Sequence, residues 1–483
     1  MTQIHYADSL RRFITPLHHA DQLMNPPKDV SASFTLTEQL ATILQRPVGS
    51  AARQRARWHV LDWLGCAALG ATKPVGQIMA AALVGQPAGP CWALGQGMHA
   101  ADAALRFNAS LGNVLEMDDV HRSSILHPGP VVIPAALAVA QQRGIKDAGA
   151  LLDAIVRGYE ATIRIGRAVG ITHYRYWHNT ASCGGFGAAA AAGSLLNLRA
   201  QQLVWALGNA GSRSSGLWRM RHEDVMTKQW HTSDAAASGV MAAQLAAHGL
   251  SGPRAILEGA QGMFAAMSQD ALPELVTRTE ADWLIFDTSF KPWPACRHAH
   301  PAIDALLQIR AQQQSAVDWS SLVSIEVDTY ADAVTFCDQP LPTTESQAKF
   351  SIQHALAAIL TYGEPRLQHY TGDCIHDPAI LVQRAKITVR ADPVFTARFP
   401  ECYGARVTLC FANGVCLQHQ VNETRGDPSH PLSEAELVAK ADMLMDAAGL
   451  SAARAARWRQ ACLDLSEGSS LAPFWAVLSE ETA

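Results

Sequence analysis

The feature that most restricts the fold is a change in sequence texture near Trp283. From about Thr35 to Leu275 the chain alternates Ala- and Leu-rich segments of helical period with short Gly/Pro breaks, and it has almost no alternating runs of β-branched residues. The segment from Ala150 to Val169 is typical, because its apolar residues recur mostly every three or four positions and form one face. This part of the chain is therefore predicted to be a helical domain.

Strand patterns occur in the second half of the chain. The runs Leu322 to Val327 and Ala385 to Val389 alternate in the way expected of half-buried strands. The run Ala405 to Val421 is typical of two strands around Asn413-Gly414, a dipeptide that favours a hairpin turn. Between these strands, Gln347 to Leu360 returns to helical period. The second region is therefore predicted to be α+β.

The length of the chain predicts more than one domain. Single cores stop growing at roughly 250–300 residues, and this chain has 483. Near the C-terminus, Ser433 and Glu436 are spaced as a helix capping box, and the helical tail is expected to rejoin the first domain. We therefore predict a mainly α protein, a large all-helical domain with a smaller α+β lid domain. Its predicted parts are an N-terminal extension (1–34), the helical domain (35–286), the lid domain (287–424) and C-terminal helices that rejoin the helical domain (425–483).

Composition and charge argue against several classes of protein. The 38 basic residues are outnumbered by 43 acidic ones and show no basic patch, so no nucleic-acid partner is expected. No apolar stretch reaches the ~20 residues that cross a bilayer, and the N-terminus lacks the pattern of a signal peptide. A cytoplasmic location without membrane contact is therefore predicted. The ten cysteines include no CxxC pair, which argues against a zinc ribbon or an iron–sulfur loop, and most are expected to be buried thiols.

The first motif with chemical potential is acidic. Glu116, Asp118 and Asp119 are followed by His121 and then by His127 at a proline-rich turn. Such a cluster could hold a metal, or a carboxylate could fix the tautomer of a histidine that acts as acid or base. It could also do no more than cap a helix and leave the histidines in solvent. The rigid position of His127 before proline favours a functional role.

The second motif runs from Tyr174 to Gly187 and contains His178. Its Gly185-x-Gly187 pair partly matches a dinucleotide-binding loop, but no apolar strand precedes it and no βαβ unit follows. Small residues at a helix start could instead allow close packing and present His178 to a carboxylate. A histidine that only packs against the nearby aromatic residues is the alternative.

The third motif contains Lys228 and His231, which are three residues apart and so share one side of a helix. The helix then becomes small and apolar. A lysine at the edge of a buried segment is costly unless it meets an anion, so Lys228 is a candidate carboxylate ligand. An ordinary surface lysine is the alternative.

The fourth motif lies at the predicted junction between the two domains, a favoured position for pockets. Prolines and a tryptophan stiffen it, and it carries Lys291, Cys296, Arg297 and His298. A thiol nucleophile at Cys296 with His298 as its base is one possibility, although residues two apart in an extended segment are not arranged for base activation. A rigid linker with solvated charges is another.

Taken together and in order, these segments resemble the MmgE/PrpD family. The matching strings are NxLEMDDVH…HPG, WHNTASCGGFGAAAAAG, MTKQWHTSDAA and FKPWPACRHAHPAID, with shorter matches at Gln347–Ser351 and from Arg425. The resemblance covers roughly Phe34 to Met445. It implies a homodimer of chains that each have an all-helical domain and an α+β lid, with a pocket between them that needs no metal or cofactor.

The resemblance also implies roles for individual residues. Positions that match catalytic or substrate-binding residues are His127, His178, Lys228 and Lys291, together with an acidic motif at 116–119. The family usually has Asp where this chain has Glu116. The cis-aconitate decarboxylase branch carries His where this chain has Cys296, and Cys there is expected of the dehydratase and epimerase branches.

The reactions of this family handle a proton on a carbon next to a carboxylate, which requires cations for the anions and a base over that carbon. We expect Lys228 and Lys291 to bind carboxylates, with His127 and His178 as acid/base residues and Asp119 orienting one of them. Additional substrate-binding residues are expected to be Glu116, His231, Cys296 and Arg297.

The expected activity is that of a cofactor-independent lyase of the 2-methylcitrate dehydratase type, which removes water from a small polycarboxylate. Epimerisation of an iminodisuccinate-like dicarboxylate and decarboxylation of cis-aconitate are the alternative reactions. A helical scaffold that binds a small acid without catalysis is the alternative outside enzymes, and it predicts scattered rather than convergent histidines.

Overall fold

The computed structural model describes residues 34–83, 86–223, 225–313 and 317–480. The predicted extension 1–34 therefore lies, except for Phe34, outside the described residues. The described chain is mainly helical with a smaller α+β region, which confirms the predicted fold class.

The α-helices of the described residues are α1 Leu36–Leu44, α2 Ser50–Ala71, α3 Pro74–Ala82, α4 Ala101–Leu111, α5 Gly129–Gln142, α6 Ala148–Ala168, α7 Gly170–Tyr174, α8 Asn179–Leu195, α9 Ala200–Gly211, α10 Thr227–Ala247, α11 Met263–Met267, α12 Glu274–Thr277, α13 His300–Gln312, α14 Ala331–Cys337, α15 Glu345–Lys349, α16 Ile352–Tyr362, α17 Gly372–Ile375, α18 Pro378–Arg384, α19 Pro393–Arg398, α20 Glu434–Ala447, α21 Ala452–Leu463 and α22 Ala472–Leu478. The strands are β1 Cys91–Ala93, β2 Gly97–His99, β3 Val120–His121, β4 Thr288–Ser289, β5 Leu322–Thr329, β6 Ile387–Ala391, β7 Ala405–Phe411 and β8 Cys416–Val421.

The first core is formed by buried apolar residues in the ranges 40–290 and 432–478. Its centre is α8, almost all of whose residues are buried. A Cβ atom on Gly187 would lie 2.8 Å from the carbonyl oxygen of Gly158 on α6, so the two helix backbones approach closely. Gly185 and Gly187 thus belong to a packed helix rather than to a nucleotide-binding loop.

The C-terminal helices contribute to this first core. Leu437, Trp458 and Phe474 belong to the same apolar cluster as the residues of α8. At the start of α20, the Ser433 side chain accepts a hydrogen bond from the Glu436 backbone N–H, and the Glu436 side chain bonds back to the Ser433 backbone. The predicted capping box is confirmed.

The second core lies in the range 293–411 and packs α13 and α16 against a sheet. The strand order is β6-β5-β7-β8, with β5 parallel to β6 and the other pairs antiparallel. The predicted hairpin is present as β7 and β8, and Gly414 in its turn has φ +82°, a conformation that glycine adopts without a steric penalty. Cys410 and Cys416 pair across the hairpin and form a disulfide.

The helix predicted from Gln347 to Leu360 is two helices. The break lies at Phe350 and Ser351, because the Ser351 hydroxyl accepts a hydrogen bond from the His354 N–H and starts α16 as a cap. Lys349 consequently becomes the last residue of α15. The break places that lysine where two helices meet instead of inside one.

A short ladder joins the acidic motif to the domain junction. β3 pairs with β4 in antiparallel register, Val120 with Ser289 and His121 with Thr288. Asp118 lies just before β3 in the sequence, and Lys291 lies just after β4. The ladder therefore brings two motifs together that are far apart in the sequence. Within the described residues, no helix combines the length and apolar character needed to cross a membrane.

Candidate active site

Glu116 stands in a strained backbone conformation. Its φ angle is +56°, in the left-handed region that costs roughly 1–2 kcal/mol for a residue with a Cβ. The conformation directs its buried carboxylate to two lysines: one oxygen forms an ion pair with Lys228, and the other lies 3.5 Å from the Lys291 ammonium. Strain of this kind is often kept where it positions a functional group.

The contacts continue from Lys291 to a histidine. The Lys291 ammonium is fully buried and lies 3.3 Å from Asp118 Oδ1. Asp118 Oδ2 in turn lies 2.9 Å from His127 Nδ1. We call the resulting continuous set of charged side chains the contact chain, and its members are Lys228, Glu116, Lys291, Asp118 and His127. The structure thus brings together four of the residues predicted for the site.

Three groups of the contact chain, Glu116, Asp118 and Lys291, have pKa values shifted in the direction that favours their ionised forms. Burial alone would raise the pKa of Glu116 and of Asp118, but the positive charges of the neighbouring lysines, joined by His127 when its ring is protonated, outweigh burial and hold both pKa values below their usual range. Burial alone would lower the pKa of Lys291, but the charges of Asp118 and Glu116 raise it. The two lysines are therefore balanced by two carboxylates.

The tautomer of His127 follows from its contacts. Its Nδ1 lies 2.9 Å from the backbone carbonyl oxygen of Asp119 in hydrogen-bonding geometry, and a carbonyl can only accept. The contact with Asp118 at the same nitrogen is one of close charges without aligned hydrogen-bond geometry. Nδ1 therefore carries the proton, and in the neutral ring Nε2 holds a lone pair. Within the described residues Nε2 has no hydrogen-bond partner, so it is free to act as a base.

Asp119 orients His127 through its backbone, while its side chain has different partners. The carboxylate accepts hydrogen bonds from the Tyr159 hydroxyl at 2.5 Å and the Gly129 N–H at 3.0 Å, and it lies 2.7 Å from His59 Nδ1. These contacts fix the loop before α5. The carboxylate beside His127 is that of Asp118, which the sequence interpretation placed in the acidic motif without a role of its own.

His178, at the start of α8, pairs with another histidine, His231. Its Nδ1 lies 3.2 Å from Nδ1 of His231 on α10, and its ring packs against Trp218 with centroids 4.5 Å apart. Its buried Nε2 has no partner among the described residues. Burial and the charges of Lys228 and His231 hold the pKa of His178 well below its usual value, so the ring is neutral.

The remaining residues predicted to bind substrate differ in their positions. Arg297 does not join the contact chain: its guanidinium forms a 2.5 Å ion pair with the buried Asp427 and also donates to the Arg425 carbonyl. Cys296 is buried, and charges of Glu116 and Lys228 act on its thiol. Its thiol contacts Cys337.

His298 is a buried residue near the contact chain that the sequence interpretation named only as a base for Cys296. Its Nδ1 lies 2.7 Å from the Tyr330 hydroxyl, and its ring stacks on Tyr403 with centroids 5.5 Å apart. Burial and the charge of Lys291 lower its pKa to about 3. The thiol–imidazole pair considered for Cys296 is absent among the described residues, because the His298 ring is directed to Tyr330.

The acidic motif does not converge on a metal position. Asp118 contacts Lys291 and His127, Asp119 contacts Tyr159, and His121 Nδ1 lies 2.8 Å from the Ser124 hydroxyl. Within the residues that the structure describes, no group of three or more His, Cys, Asp or Glu side chains is placed to hold a metal ion.

The fold and the site together define a class of protein: a helical body with an α+β region and, where the two meet, buried acids, lysines and histidines suited to proton transfer. A model of the MmgE/PrpD N-terminal domain matches residues 36–276, and a model of the MmgE/PrpD C-terminal domain matches residues 293–465. The chain belongs to the MmgE/PrpD family.

Curated relatives carry the names of two reactions. The cis-aconitate decarboxylase-like protein oryM of Aspergillus oryzae is 25% identical over 453 residues, which cover 89% of this chain and 93% of the relative. A cis-aconitate decarboxylase of Aspergillus terreus is 24% identical and covers 77% of this chain and 81% of its own length. The 2-methylcitrate dehydratase of Escherichia coli O157:H7 is 24% identical over 47% of this chain and 49% of its own length. Decarboxylases and dehydratases of this kind are lyases.

Proposed function

We propose that this chain is an acid/base lyase of the 2-methylcitrate dehydratase type, which removes water from a small polycarboxylate without a cofactor. The observation that carries the proposal is the state of His127: Nδ1–H donates to the Asp119 carbonyl, and Nε2 keeps a free lone pair at the end of the contact chain. A neutral imidazole held in one tautomer is suited to remove a proton near neutral pH.

The charge that develops on His127 has a partner in place. Once Nε2 takes a proton, the ring becomes an imidazolium, and the ionised Asp118 lies 2.9 Å away to stabilise it. Lys291 holds Asp118 in position through its 3.3 Å contact. Lys228 is the more accessible of the two lysines and is proposed to bind the carboxylate next to the reacting carbon.

His178 is proposed to supply the second proton transfer. With Nδ1 accepting a hydrogen bond from His231, its Nε2 carries the proton and can donate it. His127 removes the proton from carbon, and that electron pair forms the new C=C bond. The C–O bond breaks as the leaving hydroxyl takes the Nε2 proton of His178, which takes up the Nδ1 proton of His231 in the same step. Solvent then returns a proton to the histidine pair and accepts the proton held by His127. Water and an unsaturated acid are the products.

Decarboxylation of a cis-aconitate-like acid is the second candidate. Two relatives support it, since they are named as a cis-aconitate decarboxylase-like protein and a cis-aconitate decarboxylase. Cys296 argues against it, because the family resemblance implies histidine at this position in the decarboxylase branch. Epimerisation requires the same two histidines on opposite faces of one carbon. A non-catalytic scaffold accounts poorly for a buried, continuous set of ion pairs that ends at a histidine.

Separate incubations with 2-methylcitrate, cis-aconitate and iminodisuccinate, each followed by NMR, test the proposal. Loss of water from 2-methylcitrate in D₂O is the expected result. Release of CO₂ from cis-aconitate, or deuterium incorporation into iminodisuccinate without loss of water, would replace dehydration with the corresponding alternative. No change in any of the three acids would contradict the proposal.

A further inference from the structure

Lys349 differs from the other buried lysines of the described residues. Lys291 contacts Glu116 and Asp118, and Lys440 forms an ion pair with Asp62. Lys349 is only 8% exposed, yet no carboxylate of the described residues lies within the 4.0 Å of an ion pair. A buried ammonium without a counter-ion is unfavourable, so its retention calls for a partner that the chain itself does not provide.

The backbone of Lys349 is fixed next to the candidate active site. Its carbonyl oxygen accepts a 2.8 Å hydrogen bond from the Cys296 N–H. The ring of the following residue, Phe350, has its centroid 5.6 Å from the Lys228 ammonium. Glu116 and Lys228 also act electrostatically on the Lys349 ammonium. The last turn of α15 therefore borders the contact chain.

Lys349 also lines a cavity of about 590 Å³. Leu115 and Pro292, the sequence neighbours of Glu116 and Lys291, line the same cavity, as do Lys73 and Trp293. Its volume lies within the roughly 300–1,000 Å³ of small-molecule sites. The cavity is therefore adjacent, through Lys349 and these two neighbours, to residues of the contact chain, and the acidic residues Glu345, Glu364, Glu436 and Asp446 line it as well.

Charge balance indicates what the cavity receives. In the contact chain two carboxylates already neutralise two lysines, so an acid with several carboxylates needs further positive charge. Burial lowers the pKa of Lys349, and the nearby carboxylates of Glu345 and Glu116 oppose that effect. An incoming carboxylate would stabilise the charged ammonium further.

We propose that Lys349 binds a substrate carboxylate remote from the reacting carbon and that the cavity beside it receives that part of the acid. The proposal rests on the proposed function, because it assumes a polycarboxylate at His127. It gives the remote carboxylate of a polycarboxylic acid a cation of its own, separate from Lys228, which is proposed to bind the carboxylate next to the reacting carbon.

Calorimetric titration with propane-1,2,3-tricarboxylate and with succinate tests this assignment without turnover. The wild-type chain is expected to bind the tricarboxylate more tightly than succinate. Lys349→Met should weaken tricarboxylate binding by about ten- to hundredfold, the range of a charge-assisted hydrogen bond, and should change succinate binding little. Lys349→Arg should restore part of the affinity. Lys146→Met, on the exposed surface, is the matched control and should bind as wild type does.

The outcomes separate this inference from the proposed function. Equal tricarboxylate affinity in Lys349→Met and wild type would overturn the inference alone. A wild-type chain that binds neither acid would overturn both. Thermal unfolding without ligand gives a second criterion: loss of an unpaired buried charge should leave the melting temperature unchanged or higher. A melting temperature several degrees lower would show that Lys349 serves the folded chain itself and would contradict the ligand role.

Discussion

His127 Nδ1 lies 2.9 Å from the backbone carbonyl oxygen of Asp119, and the same carbonyl belongs to the residue whose side chain accepts from Tyr159. The tautomer of the proposed base is thus set by a main-chain group that no side-chain substitution at position 119 removes. The position of that carbonyl does depend on the Asp119 side chain, which anchors the loop. A substitution at position 119 therefore affects the orientation of His127 only through the position of the loop.

Replacement of His127 by Ala should lower kcat by roughly 10²–10⁴-fold, the usual contribution of a general base. The far-UV circular dichroism spectrum should stay unchanged, because the His127 ring lies at one end of the contact chain among polar groups and its loss removes no apolar packing. Steady-state rates on the acid identified by NMR provide the measurement. His376→Ala, at an exposed position, is the control. A variant of His127 with the wild-type rate would remove this residue from the mechanism.

Replacement of Lys228 by Met should raise KM by about tenfold or more through loss of a charge-assisted contact with the substrate. Glu116 keeps Lys291 as a partner at 3.5 Å, so the variant should fold. Initial rates over a range of substrate concentrations measure the effect, and Lys228→Arg should recover part of it. Unchanged kcat and KM would contradict the role given to Lys228.

Replacement of Asp119 by Asn should destabilise the fold by about 1–3 kcal/mol, because an amide NH₂ would face donors that now meet a carboxylate. Urea unfolding gives the measurement. Asp102→Asn, which affects an exposed ion pair with Arg106, should cost less than about 1 kcal/mol. Equal stability of the two variants would argue that the Asp119 network is of little energetic importance.

The fold should lose stability as the pH falls below about 6.5. Burial lowers the pKa of His121 from the usual 6.5 to about 3. Between these values the unfolded chain binds a proton that the folded chain excludes, so the contribution is complete above pH 6.5 and declines toward pH 3. For this histidine the loss at pH 5 is about 2 kcal/mol. Urea midpoints at pH 7, 6 and 5 measure it, and His121→Gln should flatten the dependence. Identical midpoints at all three values would contradict the buried neutral state.

We propose that the chain forms a homodimer through the outer face of α10. Trp230, Met241 and Leu245 share that face at helical spacing and are 50%, 48% and 41% exposed. Met241→Glu should shift the protein from dimer to monomer in size-exclusion chromatography with light scattering. Val382→Glu, on α18, is the control and should leave the mass unchanged. A monomeric wild-type chain, or a dimeric Met241→Glu variant, would contradict the proposed face.

The sequence predicted the helices and strands better than it predicted the contacts between their side chains. Periodicity identified α6 and the β7–β8 hairpin, since Ala/Leu spacing and an Asn-Gly turn are local signals. The break at Ser351 was missed, because a serine cap within an apolar run resembles a helix interior. Lys228 and Lys291 were chosen from motifs, and the structure places both beside Glu116.

Other site features could not be read from local pattern. The carboxylate beside the His127 ring is that of Asp118 rather than that of Asp119. The directions of two adjacent side chains in a loop cannot be predicted until the backbone conformation is known. Tyr159 belongs to an ordinary helical repeat, and nothing in its spacing indicates a bond to Asp119. Lys349 stands in a short matching string, but its lack of a carboxylate partner is a property of the packed molecule.

The pairing of β3 with β4 has a mechanical consequence. Asp118 precedes one strand and Lys291 follows the other, so backbone hydrogen bonds, rather than packing between the two cores, set their separation. The separation of this cation and this carboxylate is therefore built into the main chain, and a substitution within either core acts on it only through the backbone.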